Sequence, residues 1–195
     1  EYAPKSSLRD FLRKSNINNT QKQIILTGIS RSILYLHQNN YIHRDINLMS
    51  VLIDENCHPL LTDFKLLQPF EEPQKFKHLI GTPLFMAPEI IKGECYDYKS
   101  DIYSFSILMF EVISGKRPWV DENSILENFK QVIMGKRHEL DDDLNPSLRN
   151  MINQCWKGDP DQRPEAKEIF EKLSSDPDYL LDGVDLFNEY VKSIA

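Results

Sequence analysis

Apolar residues recur at helical spacing at Ile25, Ile29, Ile33 and Leu36, which predicts one long amphipathic helix over about residues 18–39. That run ends at QNN. Two short β-branched or leucine-rich runs follow at 51–53 and 59–62, separated by DENCH, whose turn composition predicts a small hairpin. The pattern changes in SDIYSFSILMFEVISG, which is apolar on nearly every side. This predicts a central buried helix with Ser100 as its N-cap and Gly115 as its stop. Further helices fit about residues 123–134, 146–156 and 164–173, the last preceded by the breaker-rich GDPDQRP. At the N-terminal end a helix capped near Ser6 or Ser7 is expected. Beyond SSDPD, Val184, Phe187, Val191 and Ile194 share one face, enough for a docking helix but not for another domain. The expected fold class is mainly α with one small β-hairpin.

Composition narrows the partners. A length of 195 residues suits one domain, and no apolar run approaches the roughly 20 residues of a membrane span. The net charge of −7 sets an overall field that would repel a phosphate backbone, so proteins or small ligands are the expected partners and nucleic acid is not. Cys57, Cys95 and Cys155 are odd in number and far apart, which suits reduced thiols and a cytoplasmic location. The histidines show no metal-ligand spacing.

Five strings carry the candidate chemistry: HRDINLMSVLID, TDFK, GTPLFMAPE, SDIYSFSILMFEVISGKRPW and CWKGDPDQRP. Their order and spacing resemble the C-terminal lobe of a protein kinase over residues 1–173, with serine/threonine-type motifs and a tyrosine-kinase-like ending, and leave 174–195 as a tail. Phosphoryl transfer from ATP needs carboxylates for Mg2+ and a carboxylate that accepts or orients the substrate hydroxyl, and Asp45 and Asp63 can supply both. The resemblance makes Asp45 the base, Asp63 the magnesium ligand and Thr82 part of the substrate-binding turn. It pairs His43 with Phe64 in a hydrophobic column and Glu89 with Arg163 in an ion pair. Asp101 is expected to hold the catalytic-loop backbone. Glu1 and Ala3 would present backbone groups to adenine, with Leu52 beneath the ring.

Three positions depart from the family pattern. Asn47 stands where serine/threonine kinases carry a lysine, Ser50 where they carry a magnesium-binding asparagine, and Lys65 where the Asp-Phe-Gly turn has glycine. Ser50 is therefore expected to be a weakened second metal ligand near the phosphates. The segment DFKLLQPFEEPQKFKHLIG contains no serine, threonine or tyrosine, so Arg44 is expected to pair with Glu71 or Glu72, Glu72 foremost, instead of a loop phosphate. No glycine-rich phosphate loop is spelled, and the resemblance implies a lobe without its small partner, inactive alone. Two functions stay open: a divergent serine/threonine kinase acting on a protein substrate, and a pseudokinase scaffold that binds partners. A helical interaction module using the tail is a third.

Overall fold

The computed structural model describes residues 6–70, 76–118, 124–181 and 185–194. In chain order the elements are α1 (Leu8–Lys14), α2 (Asn19–Gln38), β1 (Tyr41–Ile42), β2 (Val51–Ile53), β3 (Pro59–Leu61), β4 (Gln68–Pro69), α3 (Pro88–Ile91), α4 (Lys99–Ser114), α5 (Ile125–Ile133), α6 (Pro146–Cys155), α7 (Ala166–Ser175) and α8 (Asp185–Ile194). The fold is mainly helical, as the periodicity predicts. β2 and β3 form the antiparallel hairpin, with Val51 opposite Leu61 and Ile53 opposite Pro59. A second two-stranded pairing joins β1 to β4, tying the approach to the loop that carries Asp45 to the segment after Asp63.

The two long helices make the core. α2 begins with a capping box, in which the Asn18 side chain accepts from Gln21 N and the Gln21 side chain accepts from Asn18 N. Its inner stripe of Ile25, Leu26, Ile29 and Ile33 is essentially closed to solvent. Each such side chain contributes about 1.5–3 kcal/mol on burial. α4 is buried along nearly its whole length, and Gly115 closes it in the left-handed conformation.

The start of α4 corrects the expected cap. Ser100 lies inside the helix, whose N-cap position is Tyr98 with no side-chain cap; the Ser100 hydroxyl donates to Asp97 O, and the Asp97 carboxylate accepts from Lys99 N. At the chain's start, Ser7 caps α1 by accepting from Asp10 N. The same stretch is stitched to the hairpin, where Ile53 N donates to Ser6 O and Arg9 N donates to Leu48 O.

α8 docks on the outer side of α2. Phe187 and Tyr190 are buried against Ile24, with Val191 and Ile194 packed beside them, and Arg31 Nε donates to Ile194 O at 3.0 Å. Val184 lies outside the described residues. Gly28 makes this approach possible, because a Cβ there would lie 2.1 Å from Tyr190 Oη and 2.5 Å from Pro59 Cγ. Gly28→Ala is therefore expected to loosen α8 and speed its amide hydrogen exchange by about tenfold or more. Adding Tyr190→Phe should recover part of the protection; unchanged exchange in the single variant would show that α8 is not seated on Gly28. Among the described residues no helix is long and apolar enough to cross a membrane.

Candidate active site

The site is a loop, 43–50, held from below by the buried end of α4. Asp101, 1% exposed, accepts from His43 N through Oδ2 and from Arg44 N through Oδ1, both at 2.9 Å. His37, in the last turn of α2, donates to the same Oδ2 at 3.1 Å, since a carboxylate can only accept. Burial alone would push the Asp101 carboxyl up, but the His37 hydrogen bond and the neighbouring His43 outweigh it, and the net shift is downward. This clamp lets Arg44 hold a φ of 67°, a conformation costly for a side-chain-bearing residue.

His43 is wholly buried. Its Nε2 donates to Thr62 O at 2.9 Å, its Nδ1 accepts from Asp45 N at 3.3 Å, and its ring meets Phe64 edge-on at 5.5 Å. The histidine thus joins the loop to the turn that carries Asp63. Gly81 approaches the same loop from the other side; with φ at 106°, it sits where a Cβ would come within 2.7 Å of Arg44 O.

Asp45, Asn47 and Thr82 come together. Asp45 Oδ1 accepts three hydrogen bonds, from Thr82 Oγ1 at 2.7 Å, Thr82 N at 2.8 Å and Asn47 Nδ2 at 3.0 Å. Asn47 Nδ2 also reaches Thr82 Oγ1 at 3.1 Å. Its Oδ1 accepts from Met49 N and Ser50 N, so the one amide bridges the Asp45 and Thr82 side chains and closes the loop behind them. Among the described residues, no hydrogen bond reaches Asp45 Oδ2.

Ser50 is placed differently from a metal ligand. It is wholly buried, its hydroxyl accepts from Asn47 N at 3.0 Å and donates to Asn47 O at 2.9 Å, and it serves the loop's own backbone. Asp63 sits in an exposed left-handed conformation with φ 61°, and Lys65 Nζ lies 3.0 Å from its Oδ1. Lys65 avoids positive φ, since the chain after Asp63 turns into a short 3-10 helix over Phe64–Leu66. No cluster of three or more potential metal-binding side chains occurs among the described residues.

Leu52 is half-buried on the hairpin face opposite the buried Val51 and Ile53. Glu1 and Ala3 lie outside the described residues, as do Glu71 and Glu72. The described partners of the Arg44 guanidinium are neutral: Leu66 O at 2.6 Å, Gln68 Oε1 at 3.3 Å and the ring of Phe76 at 5.3 Å. Glu89 and Arg163 form a buried two-pronged pair at 2.7 and 2.8 Å. His37 and Gly81 were not singled out by the sequence; no local pattern marks a histidine that closes a helix as a partner of Asp101.

The protein kinase domain model matches residues 1–173. RGS domain-containing serine/threonine-protein kinase A of Dictyostelium discoideum is 34% identical over 90% of this chain and 16% of that protein. Serine/threonine-protein kinase STY17 of Arabidopsis thaliana is 31% identical over 89% of this chain and 31% of its own length. Dual specificity protein kinase shkC of Dictyostelium discoideum is 32% identical over 89% of this chain and 36% of its own length. The chain thus spans about a third or less of these relatives. Five motifs in register, a loop clamped by Asp101, the buried Glu89–Arg163 pair and these likenesses converge: the chain belongs to the protein kinase domain family.

Proposed function

We propose that this chain is the C-terminal lobe of a protein kinase domain that, in its full-length protein, transfers a phosphoryl group from ATP to serine or threonine hydroxyls of a protein substrate. The observation that carries the reading is the loading of Asp45. Three donors on Oδ1 fix the carboxylate and leave Oδ2 to accept or orient the proton of an incoming hydroxyl. Thr82 and Asn47 are then positioning residues for Asp45. Asn47 keeps the hydrogen bonds within the loop but brings no positive charge to the phosphate, which removes about 1.5–3 kcal/mol and slows transfer roughly ten- to hundredfold.

The donor set fits one magnesium ion. Mg2+ is commonly held by one or two carboxylates together with substrate phosphates, and when bound it neutralises charge on the transferring group. Asp63 is the exposed carboxylate for that role, with the Lys65 ammonium swinging away from it. The Ser50 hydroxyl donates one and accepts one hydrogen bond within the loop, which makes it the weaker ligand of the two. Leu52 would support the adenine, with Glu1 and Ala3 presenting backbone groups. Three cysteines that form no disulfide among the described residues suit a reducing cytoplasm.

The Lys65–Asp63 pair and the closed Ser50 hydroxyl favour a second reading, a pseudokinase scaffold whose loop keeps its shape without a metal. Incubating the full-length protein with Mg-ATP and a serine/threonine peptide library separates the two. Phosphotransfer is expected, and Thr82→Val, which deletes one charge-assisted hydrogen bond to Asp45, should lower kcat about tenfold with little change in melting temperature. A folded protein that transfers nothing, and that Mg-ATP does not protect against heat, would leave the scaffold reading.

A further inference from the structure

The chain has eight arginines, all among the described residues. Arg31, Arg44, Arg137, Arg149 and Arg163 donate hydrogen bonds to named partners. The guanidinium groups of the other three, Arg9, Arg13 and Arg117, have no hydrogen-bond or ion-pair partner among the described residues. All three line one groove. It consists of two adjoining clefts of about 280 and 270 Å³ that share Arg9, Leu48, Glu111 and Arg117. The first cleft starts at Thr82 and Asn47, beside Asp45; the second continues to Arg13 and Lys22. A protein with a net charge of −7 therefore gathers three guanidiniums that have no partner among the described residues beside the site where a substrate hydroxyl would arrive.

We propose that this groove binds an anionic side chain of the protein substrate, a carboxylate or a phosphate monoester, a few residues from the acceptor hydroxyl. The proposal rests on the kinase reading above for its substrate and deepens it by naming the substrate's chemistry. Arg9, half-buried on α1, and Arg117, exposed just past α4, stand at the junction of the two clefts and can offer planar forks to one acid.

Glu111 is the one carboxyl lining either cleft among the described residues, and it is 8% exposed. Its burial pushes its pKa up to about 7, with Arg117 and Arg9 pulling the other way. The groups facing it are Arg9 and Arg13 from α1, Lys22 from α2, whose ammonium is tied to Ile113 O at 2.9 Å, and Arg117. Below pH 7 the groove is therefore cationic without opposition. Above it, the Glu111 carboxylate partly offsets the arginines, so selection for acids weakens as the pH rises from 6 to 8.

The test uses the full-length protein and peptides with one fixed acceptor, scanning alanine, aspartate, phosphoserine and lysine through the flanking positions. At one position an acid should lower KM about tenfold relative to alanine, with kcat little changed, and lysine should raise it. The aspartate and phosphoserine arms tell a carboxylate site from a phosphate site. Arg9→Gln with Arg117→Gln should reduce the acid preference to less than about twofold, and Glu111→Gln should keep it while removing its pH dependence. Preference for lysine, or an acid preference that the double arginine variant leaves intact, would overturn the proposal. If no peptide is phosphorylated, the kinase reading falls and the groove is judged by binding alone. A fluorescein-labelled acidic peptide at low salt should then bind about tenfold more weakly to the double variant, and equal binding would overturn the groove as well.

Discussion

Replacing Arg163 with alanine is expected to destabilise the fold by about 3–5 kcal/mol, because the Glu89 carboxylate would be left buried and unpaired. Both residues are closed to solvent, at 2% and 3% exposure, so water cannot take the place of the lost partner. Arg163 also donates to Lys99 O and Lys157 O and lies over the Tyr103 ring at 5.2 Å, so the same change frees carbonyls at the foot of α4 and before α7. For a domain of this size that loss lowers the melting temperature by roughly 6–20 °C. Glu89→Leu combined with Arg163→Met should cost clearly less than the sum of the single variants, since the pair is then removed without stranding a charge. Urea unfolding of the four proteins checks this. A loss under about 1 kcal/mol in Arg163→Ala would mean that packing, not the ion pair, holds the segment containing Thr82 to the end of the lobe.

Asp45→Asn in the full-length protein is expected to lower phosphotransfer by a factor of about 10²–10⁴ while leaving the melting temperature nearly unchanged. The replacement is isosteric. The amide oxygen can still accept from Thr82 and Asn47, so the three hydrogen bonds seen on Oδ1 persist. Only the free oxygen is exchanged, for an NH2 group that cannot accept a proton. Activity retained in this variant would exclude Asp45 as the base. Activity lost together with stability would show that the carboxylate serves the loop more than the reaction.

The fold was legible where a pattern is local. The capped, periodic α2 and the all-round apolar α4 fall within a residue or two of their expected bounds, because hydrophobic spacing and stop signals act over a single element. The cap of α4 was misplaced by two residues. Ser100 is a good cap by residue type, and only the direction of its hydroxyl, which donates to Asp97 O instead of accepting, shows that it lies inside the helix. The site was legible in its cast but not in its bonding. Asn47 and Ser50 are missing charge and missing amide when read against a family pattern, whereas in three dimensions they bond to each other, and Asn47 bonds to Asp45 as well. The arginine groove was invisible, since Arg9, Arg13 and Arg117 meet across some hundred residues of chain and a solvated surface arginine looks the same in sequence.

The hydroxyl of Ser50 and the amide of Asn47 have a kinetic consequence. A loop that satisfies its own donors and acceptors is ordered when the chain folds, so the entropy of fixing its backbone, about 1–2 kcal/mol per residue, is not set against nucleotide affinity. On the proposed kinase reading, the encounter with a nucleotide should then resemble docking onto a finished surface, with an association rate limited by diffusion and orientation and not by loop closure.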